Sequence, residues 1–177
     1  MNNEELLRMY ASIKSNPGEI VKEAARHRLI NFARYMQPDL TLEPFHVVYY
    51  TLLDMFAHGK IRKMIVQMPP QHGKSEGSSR KTPSFMLGLD PDKKICIGSY
   101  AATIARDFNR DVQRIIDTPR YRELFPETFL NGSNLPEIIS VAKRKNHLRH
   151  TTNIIILSQL LYKFFSKTFY MRPVTAQ

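Results

Sequence analysis

The segment between Lys63 and Ser99 constrains the fold of this chain more than any other part of the sequence. A short apolar run at 63–68 is followed by a proline pair, a Gly-Lys-Ser triplet and a stretch that can form a helix. After an Asp-Pro-Asp turn, a second apolar run occupies 93–99. Two short buried strands joined through a helix form a parallel pair with a right-handed crossover. The order strand, loop, helix, strand therefore predicts an α/β fold with a short parallel sheet.

Helices are expected on both sides of this unit. The apolar spacing predicts two N-terminal helices at 4–15 and 18–36, which form a helical layer, and a third at 44–58. A fourth helix fits 73–87, although Pro83 predicts a kink or an early stop.

The clearest helical periodicity follows the second apolar run. Seven apolar residues fall on one stripe: Ala101, Ile104, Ala105, Phe108, Val112, Ile115 and Ile116. The other face carries Arg106, Arg110 and Arg114, interleaved with aspartates at ion-pair spacing. Such a face is either a salt-bridged solvent surface or a phosphate-contacting ridge. A short helical turn should follow at 118–124.

The loop "QMPPQHGKSE" at 67–76 contains residue types that a phosphate site needs. A helix N-terminus offers unpaired N–H groups and a partial positive charge. Gly73 permits close backbone approach, Lys74 can reach the outer phosphates, and Ser75 can hold Mg²⁺. The full pattern has another glycine where this chain has Met68. A phosphate loop is the prediction, and the alternative is an ordinary strand-to-helix turn with a chance triplet.

The net charge of +10 would ordinarily suggest a polyanionic partner, but its distribution is uneven. Seven basic and no acidic residues lie in 138–177, which leaves 19 basic and 16 acidic residues before them. Most of the excess charge therefore belongs to the tail. The alternative function that rests on this charge is a basic nucleic-acid-binding module without enzymatic activity.

The remaining composition predicts a cytosolic protein. The one cysteine, Cys96, lies in an apolar stretch and is expected to be a core thiol. The first residues are polar and acidic, which does not suit a signal peptide. The apolar run at 154–165 is interrupted by polar residues and is shorter than the ~20 residues of a membrane-spanning helix.

Several blocks together resemble the N-terminal ATPase part of the large terminase subunit of tailed bacteriophages, the motor that pumps DNA into empty capsids. They are "VQMPPQHGKSE" at 66–76, "LGLDPDKKICIGSYAATIARDFNRDVQRII" at 87–116 and "YRELFP" at 121–126. The resemblance covers 61–126 and extends back to 32–53. In that family a phosphate loop without the first glycine is normal, so Met68 is not an objection.

The resemblance implies a partial P-loop NTPase fold that binds ATP and Mg²⁺. The implied nucleotide-binding residues are Gln71, His72, Gly73, Lys74, Ser75 and Glu76, with Ser75 also on the metal. Relatives often have an arginine where this chain has Gln71. Phe45 and His46 match a block near the adenine, although a histidine here can be purely structural. Ser99 and Tyr100 match the end of a strand near the nucleotide or DNA, and helix capping is the alternative for Ser99.

The family's partners and compartment are implied in the same way. They are double-stranded viral DNA, the portal protein and the small terminase subunit, with no membrane, in the cytoplasm of a bacterial host. Three regions follow: a helical N-terminal segment at 1–60, a partial ATPase core at 61–130 and a basic, atypical tail at 131–177.

The groups for hydrolysis are not evident in the sequence. A P-loop ATPase needs an acidic residue after a neighbouring strand to hold Mg²⁺, and the run at 152–157 ends in Ser158 and Gln159 instead. The family's nuclease domain is not recognisable either. The sequence therefore predicts a truncated subunit that binds ATP rather than hydrolysing it efficiently, with a tail whose reading frame has shifted. A helicase-like or other non-packaging P-loop fragment is the remaining alternative.

Overall fold

The structure is a computed structural model, and it describes residues 17–99, 101–130, 138–143 and 151–157. The last two ranges are described by their backbone alone. Helices dominate the described chain, and the strands are short. The helix predicted at 4–15 lies outside the described residues.

The second predicted helix, at 18–36, is in fact two helices, α1 (Pro17–His27) and α2 (Leu29–Met36). They are separated at Arg28, whose backbone is extended. The N–H of Leu29 donates a hydrogen bond of 2.8 Å to the buried Asp54 carboxylate. Asp54 lies on α3 (Pro44–Ala57), which confirms the third predicted helix. A single helix is wrong here because Asp54 takes the amide that a continuous helix would use internally.

The helix predicted at 73–87 forms at 74–89, and part of it is widened. The segment Glu76–Lys81 is a π-helix, and α4 (Thr82–Leu89) continues from it. The N–H of Thr82 donates to the carbonyl of Gly77, five residues back. Pro83 follows immediately, near the start of α4. Proline has no N–H to give, and a π-turn changes the local bonding pattern, so the early stop expected at Pro83 does not occur.

The predicted amphipathic helix is confirmed as α5 (Ala102–Asp117), and the short turn after it as α6 (Pro119–Leu124). The buried residues of α5 include Ala105, Val112 and Ile116 from the predicted stripe. The side chain of Thr118 accepts a hydrogen bond from the N–H of Tyr121 and so caps α6. Both helices therefore turn their apolar faces inward.

Four short strands pair in the order β1, β4, β3, β2. They are β1 (Ile95–Gly98), β2 (Thr128–Leu130), β3 (Ile138–Lys143) and β4 (Thr151–Leu157). Only β1 and β4 are parallel, and the other two pairs are antiparallel. The predicted all-parallel arrangement is therefore wrong.

The predicted strand at 63–68 is also wrong. This segment has no regular secondary structure, it forms no ladder with another described strand, and β1 takes its parallel partner from β4 instead. Alternate residues Met64, Val66 and Met68 still pack against the core, while Ile65 is 73% exposed. The apolar pattern was thus correct about burial, but hydrogen-bonded pairing depends on which backbone lies alongside. The tail, expected to be atypical, supplies two strands.

The core lies where α2, α4 and α6 meet. Its centre is an aromatic core of four residues, Phe32, Phe85, Tyr121 and Phe125, whose ring centroids lie 5.2–6.1 Å apart in the four closest pairs. The hydroxyl of Tyr121 donates to the carbonyl of Ser84 at 2.9 Å, and complete burial raises the pKa of this phenol. The hydroxyl therefore stays protonated and keeps its hydrogen bond.

Cys96 is exposed, so the prediction of a core thiol is wrong. Its neighbour Ile97 is buried. Successive side chains of a strand point to opposite faces, which places Cys96 on the outer face of β1. No helix among the described residues is long and apolar enough to cross a lipid bilayer.

Candidate phosphate-binding site

The phosphate loop, residues 69–75, makes a sharp left-handed turn before the helix at 74–89 begins. Gln71 has φ of 63° and Gly73 has φ of 73°. Glycine adopts this conformation freely, whereas for glutamine it is uncommon and costs about 1 kcal/mol or more. A Cβ atom added at Gly73 would lie 3.4 Å from Nε2 of His46. Gly73 therefore permits both the left-handed backbone and the close approach of His46.

Two side chains of α3 hold the loop in place. Nδ1 of His46 accepts a hydrogen bond from the N–H of Glu43 at 3.0 Å, so its Nε2 carries the proton and donates to the carbonyl of His72 at 3.2 Å. The hydroxyl of Tyr49 donates to the carbonyl of Lys74 at 2.6 Å. Burial raises the pKa of Tyr49, which keeps this donor protonated. His46 therefore has a structural role that also fixes the loop.

The loop and the helix after it line a cavity of about 290 Å³. Its lining is Pro69, Pro70, Gln71, Gly73, Lys74, Ser75, Glu76 and Arg80. Five of the six nucleotide-binding residues implied by the resemblance are thus brought together. The sixth, His72, does not line the cavity, and its ring lies 5.8 Å from the ring of Phe45.

Two cationic side chains line the cavity, Lys74 and Arg80, and they differ in their hydrogen bonding. No hydrogen bond joins Nζ of Lys74 or Oγ of Ser75 to another described residue. Arg80, by contrast, donates from Nε to Asp111 at 2.7 Å and from Nη1 to Glu76 at 3.2 Å. Arg80 was missed by the sequence reasoning. Its i,i+4 spacing from Glu76, along the helix that leaves the loop, is the signal that could have found it.

Arg80 and Glu76 belong to a wider ion-pair network. Glu76 also contacts the buried Lys81 ammonium at 3.2 Å. The guanidinium of Arg80 lies over the ring of Phe108, 5.2 Å from its centroid. Partial burial lowers the pKa of Arg80, but the hydrogen bond to Asp111 and the charge of Glu76 outweigh it, so the pKa lies above its usual value. The network ties the π-helix to α5.

Phe45 lies beside the loop, at the start of α3. Its ring centroid is 4.0 Å from that of His46, and 43% of the residue is exposed. An exposed ring of this kind can stack on a flat heterocycle. The structure places both residues of the "FH" block next to the loop.

Two further candidates differ from expectation. Ala101 is the N-cap residue of α5 and no side chain caps this helix, so helix capping by Ser99 is wrong. Tyr100 lies outside the described residues. On the arginine face of α5, Arg110 pairs with Asp107 at 3.6 Å and Arg114 with Asp111 at 3.1 Å. For these two arginines the salt-bridged solvent surface is the arrangement observed.

Among the described residues, no three His, Cys, Asp or Glu side chains cluster closely enough to hold a metal ion. A Mg²⁺ that arrives with a nucleotide needs few protein ligands, because phosphate oxygens and water supply the rest. The Ser75 hydroxyl on the cavity wall fits that requirement. Comparisons with protein-family models, with curated proteins and with solved structures found no match.

Proposed function

We propose that this chain binds Mg-ATP at the phosphate loop, as the nucleotide-binding part of a DNA-packaging motor similar to the large terminase subunit. The proposal includes the partial P-loop NTPase fold of that family. One observation carries it: the left-handed turn at Gln71 and Gly73 delivers Lys74 and Ser75 to a helix start on the wall of a cavity.

The chemistry of the cavity suits a triphosphate. Gly73 gives the backbone close access, and the first N–H groups of the helix at 74–89 point along its axis toward the loop. The Lys74 ammonium is exposed and can reach the outer phosphates, while the Ser75 hydroxyl would hold Mg²⁺. The metal supplies charge neutralisation on the phosphates. The exposed ring of Phe45 offers the purine a stacking surface.

We expect binding with little turnover. A P-loop ATPase places a free carboxylate on the metal and another group on the attacking water. Glu76 is the only acidic residue in the described lining of the cavity, and it is paired with Arg80 and Lys81. A carboxylate whose oxygens already bind two cations has little capacity left to hold a metal ion or to orient a water molecule. ATP should therefore bind and leave largely intact.

The test is a fluorescence titration with a labelled ATP analogue in the presence of Mg²⁺, together with a phosphate-release assay. Lys74→Ala removes the cation that reaches the phosphates and should lower affinity at least about tenfold, since charge-assisted contacts contribute about 1.5–3 kcal/mol each. Lys60→Ala removes an exposed lysine elsewhere and should leave affinity unchanged. Equal affinities in all three proteins would contradict the proposal, and Lys74-dependent phosphate release would contradict its turnover part.

The wider role follows from the resemblance and remains a proposal. In a packaging motor the partners would be double-stranded DNA, a portal protein and a small terminase subunit, in the cytoplasm of the bacterial host. A basic DNA-binding module makes a different prediction, namely salt-dependent DNA binding that ATP does not affect. Measuring DNA binding with and without Mg-ATP separates these two functions.

A further inference from the structure

Arg80 lines the cavity, and its guanidinium is already held by two carboxylates. The Nε and Nη1 atoms donate to the carboxylates of Asp111 and Glu76. These two ion pairs leave its third nitrogen, Nη2, without a described carboxylate partner. The guanidinium is about 30% exposed, so it lies at the boundary between the cavity and the interior.

A phosphate in the cavity would compete for this guanidinium. A phosphate group carries more negative charge than one carboxylate, and a guanidinium binds either of them through two parallel hydrogen bonds. The cavity has a volume of about 290 Å³ and is lined by both Lys74 and Arg80, which places the two cations on one ligand site.

Both carboxylates would keep a partner after Arg80 moved. Asp111 pairs with Arg114 at 3.1 Å, and Glu76 pairs with Lys81 at 3.2 Å. No partly buried acid would then be left without a counter-ion, which is the usual large cost of breaking such pairs. The exchange is therefore inexpensive.

We infer that Arg80 is a second phosphate-binding cation of this cavity, and that Asp111 competes with the nucleotide for it. The inference rests on the proposed function and adds its regulation. When a phosphate takes Arg80, the ion pair between the π-helix and α5 is released. Nucleotide binding is thereby coupled to the attachment of α5, and the competition by Asp111 lowers the affinity of the site.

The experiment measures the affinity for Mg-ATP in Asp111→Asn, with Asp107→Asn as the matched control. Both variants remove one carboxylate from α5, but Asp107 pairs with Arg110 rather than with Arg80. Asp111→Asn should tighten binding by up to about fivefold, because a partly exposed ion pair is worth up to about 1 kcal/mol. Asp107→Asn should match the unaltered protein. A misfolded variant would not bind more tightly, so an increase in affinity cannot be explained by misfolding.

A second pair of variants shows whether Asp111 acts through Arg80. Arg80→Gln should weaken binding about tenfold, as expected for loss of a charge-assisted hydrogen bond. The affinity of Arg80→Lys should lie between those of the unaltered protein and Arg80→Gln, because lysine keeps the charge but cannot form two parallel hydrogen bonds. In the Arg80→Gln background, the gain from Asp111→Asn should vanish.

The outcomes separate the inference from the proposed function. If Mg-ATP binding depends on Lys74 but Asp111→Asn behaves like Asp107→Asn, the inference is overturned and the proposed function stands. The same holds if Asp111→Asn weakens binding, or if its gain persists without Arg80. If the unaltered protein does not bind Mg-ATP, both are overturned.

Discussion

The aromatic core and the phosphate loop are stabilised in opposite ways. Phe32, Phe85 and Tyr121 are fully buried and pack against one another through their rings. The phosphate loop is mostly exposed, and hydrogen bonds from His46 and Tyr49 to its carbonyls hold it against α3. The residues that stabilise the core are therefore separate from those of the proposed ligand-binding loop. The helices supply a rigid platform, and only a few directional contacts shape the loop on it.

The largest effect should follow from a cavity in the aromatic core. Phe32→Ala removes a ring that contacts three others and should lower the free energy of unfolding by about 3–5 kcal/mol. Under conditions where the variant is folded, its affinity for Mg-ATP should be unchanged, because Phe32 does not line the cavity beside the loop. Urea denaturation and the nucleotide titration measure the two quantities. The control is Val48→Ala, at a residue that is 62% exposed, which should alter neither.

Removing one loop contact should have a smaller effect on stability but, unlike Phe32→Ala, should also lower the affinity. Tyr49→Phe deletes the hydroxyl that donates to the carbonyl of Lys74, at a cost of about 0.5–1.5 kcal/mol in unfolding free energy. The affinity for Mg-ATP should fall several-fold, because the loop must then be ordered by the nucleotide. Tyr50→Phe is the matched control, since Tyr50 is also buried and its hydroxyl bonds to no described residue. Equal affinities in the two variants would show that the loop keeps its shape without Tyr49.

The smallest effect concerns the exposed carboxylate of Glu123, which contacts Tyr35 and Lys22. A hydrogen bond from Tyr35 and another from Lys22 hold the pKa of Glu123 below its usual value. A lowered folded-state pKa stabilises the protein above the unfolded pKa, and this contribution is lost as the pH falls through the folded value. Below about pH 4.5, the free energy of unfolding should therefore fall slightly less steeply with decreasing pH in Glu123→Gln than in the unaltered protein. Asp39→Asn, at an exposed residue that pairs with no cation among the described residues, should keep the original slope.

The sequence was informative where one local pattern determines the structure. The apolar stripe on α5 and the proline at the start of α3 located both helices closely. The turn at 90–92 formed as expected, with the N–H of Asp92 bonded to the side chain of Asp90. These features depend on neighbours within a few residues, which the sequence shows directly.

Other features depend on residues far apart in the chain. The break at Arg28 exists because Asp54, more than twenty residues later, accepts the N–H of Leu29. The segment at 63–68 is apolar enough for a strand, but β1 pairs with β4 instead. No periodicity within either segment contains that information.

Only those parts of the candidate site that are local in sequence could be predicted. Gly73, Lys74 and Ser75 are adjacent in sequence, and so were found together. Arg80 lines the cavity from the π-helix after the loop, and Asp111 meets it from another helix. The exposure of Cys96 could not be inferred from its apolar neighbours, since it depends on which face of β1 is covered.

The exposed thiol of Cys96 has a practical consequence. Because it is the one cysteine among 177 residues, a maleimide reagent would place one fluorophore on one known strand without any mutation. That strand directly precedes α5, the helix whose attachment Arg80 is inferred to control. The unmodified chain thus supplies its own attachment point for a spectroscopic reporter.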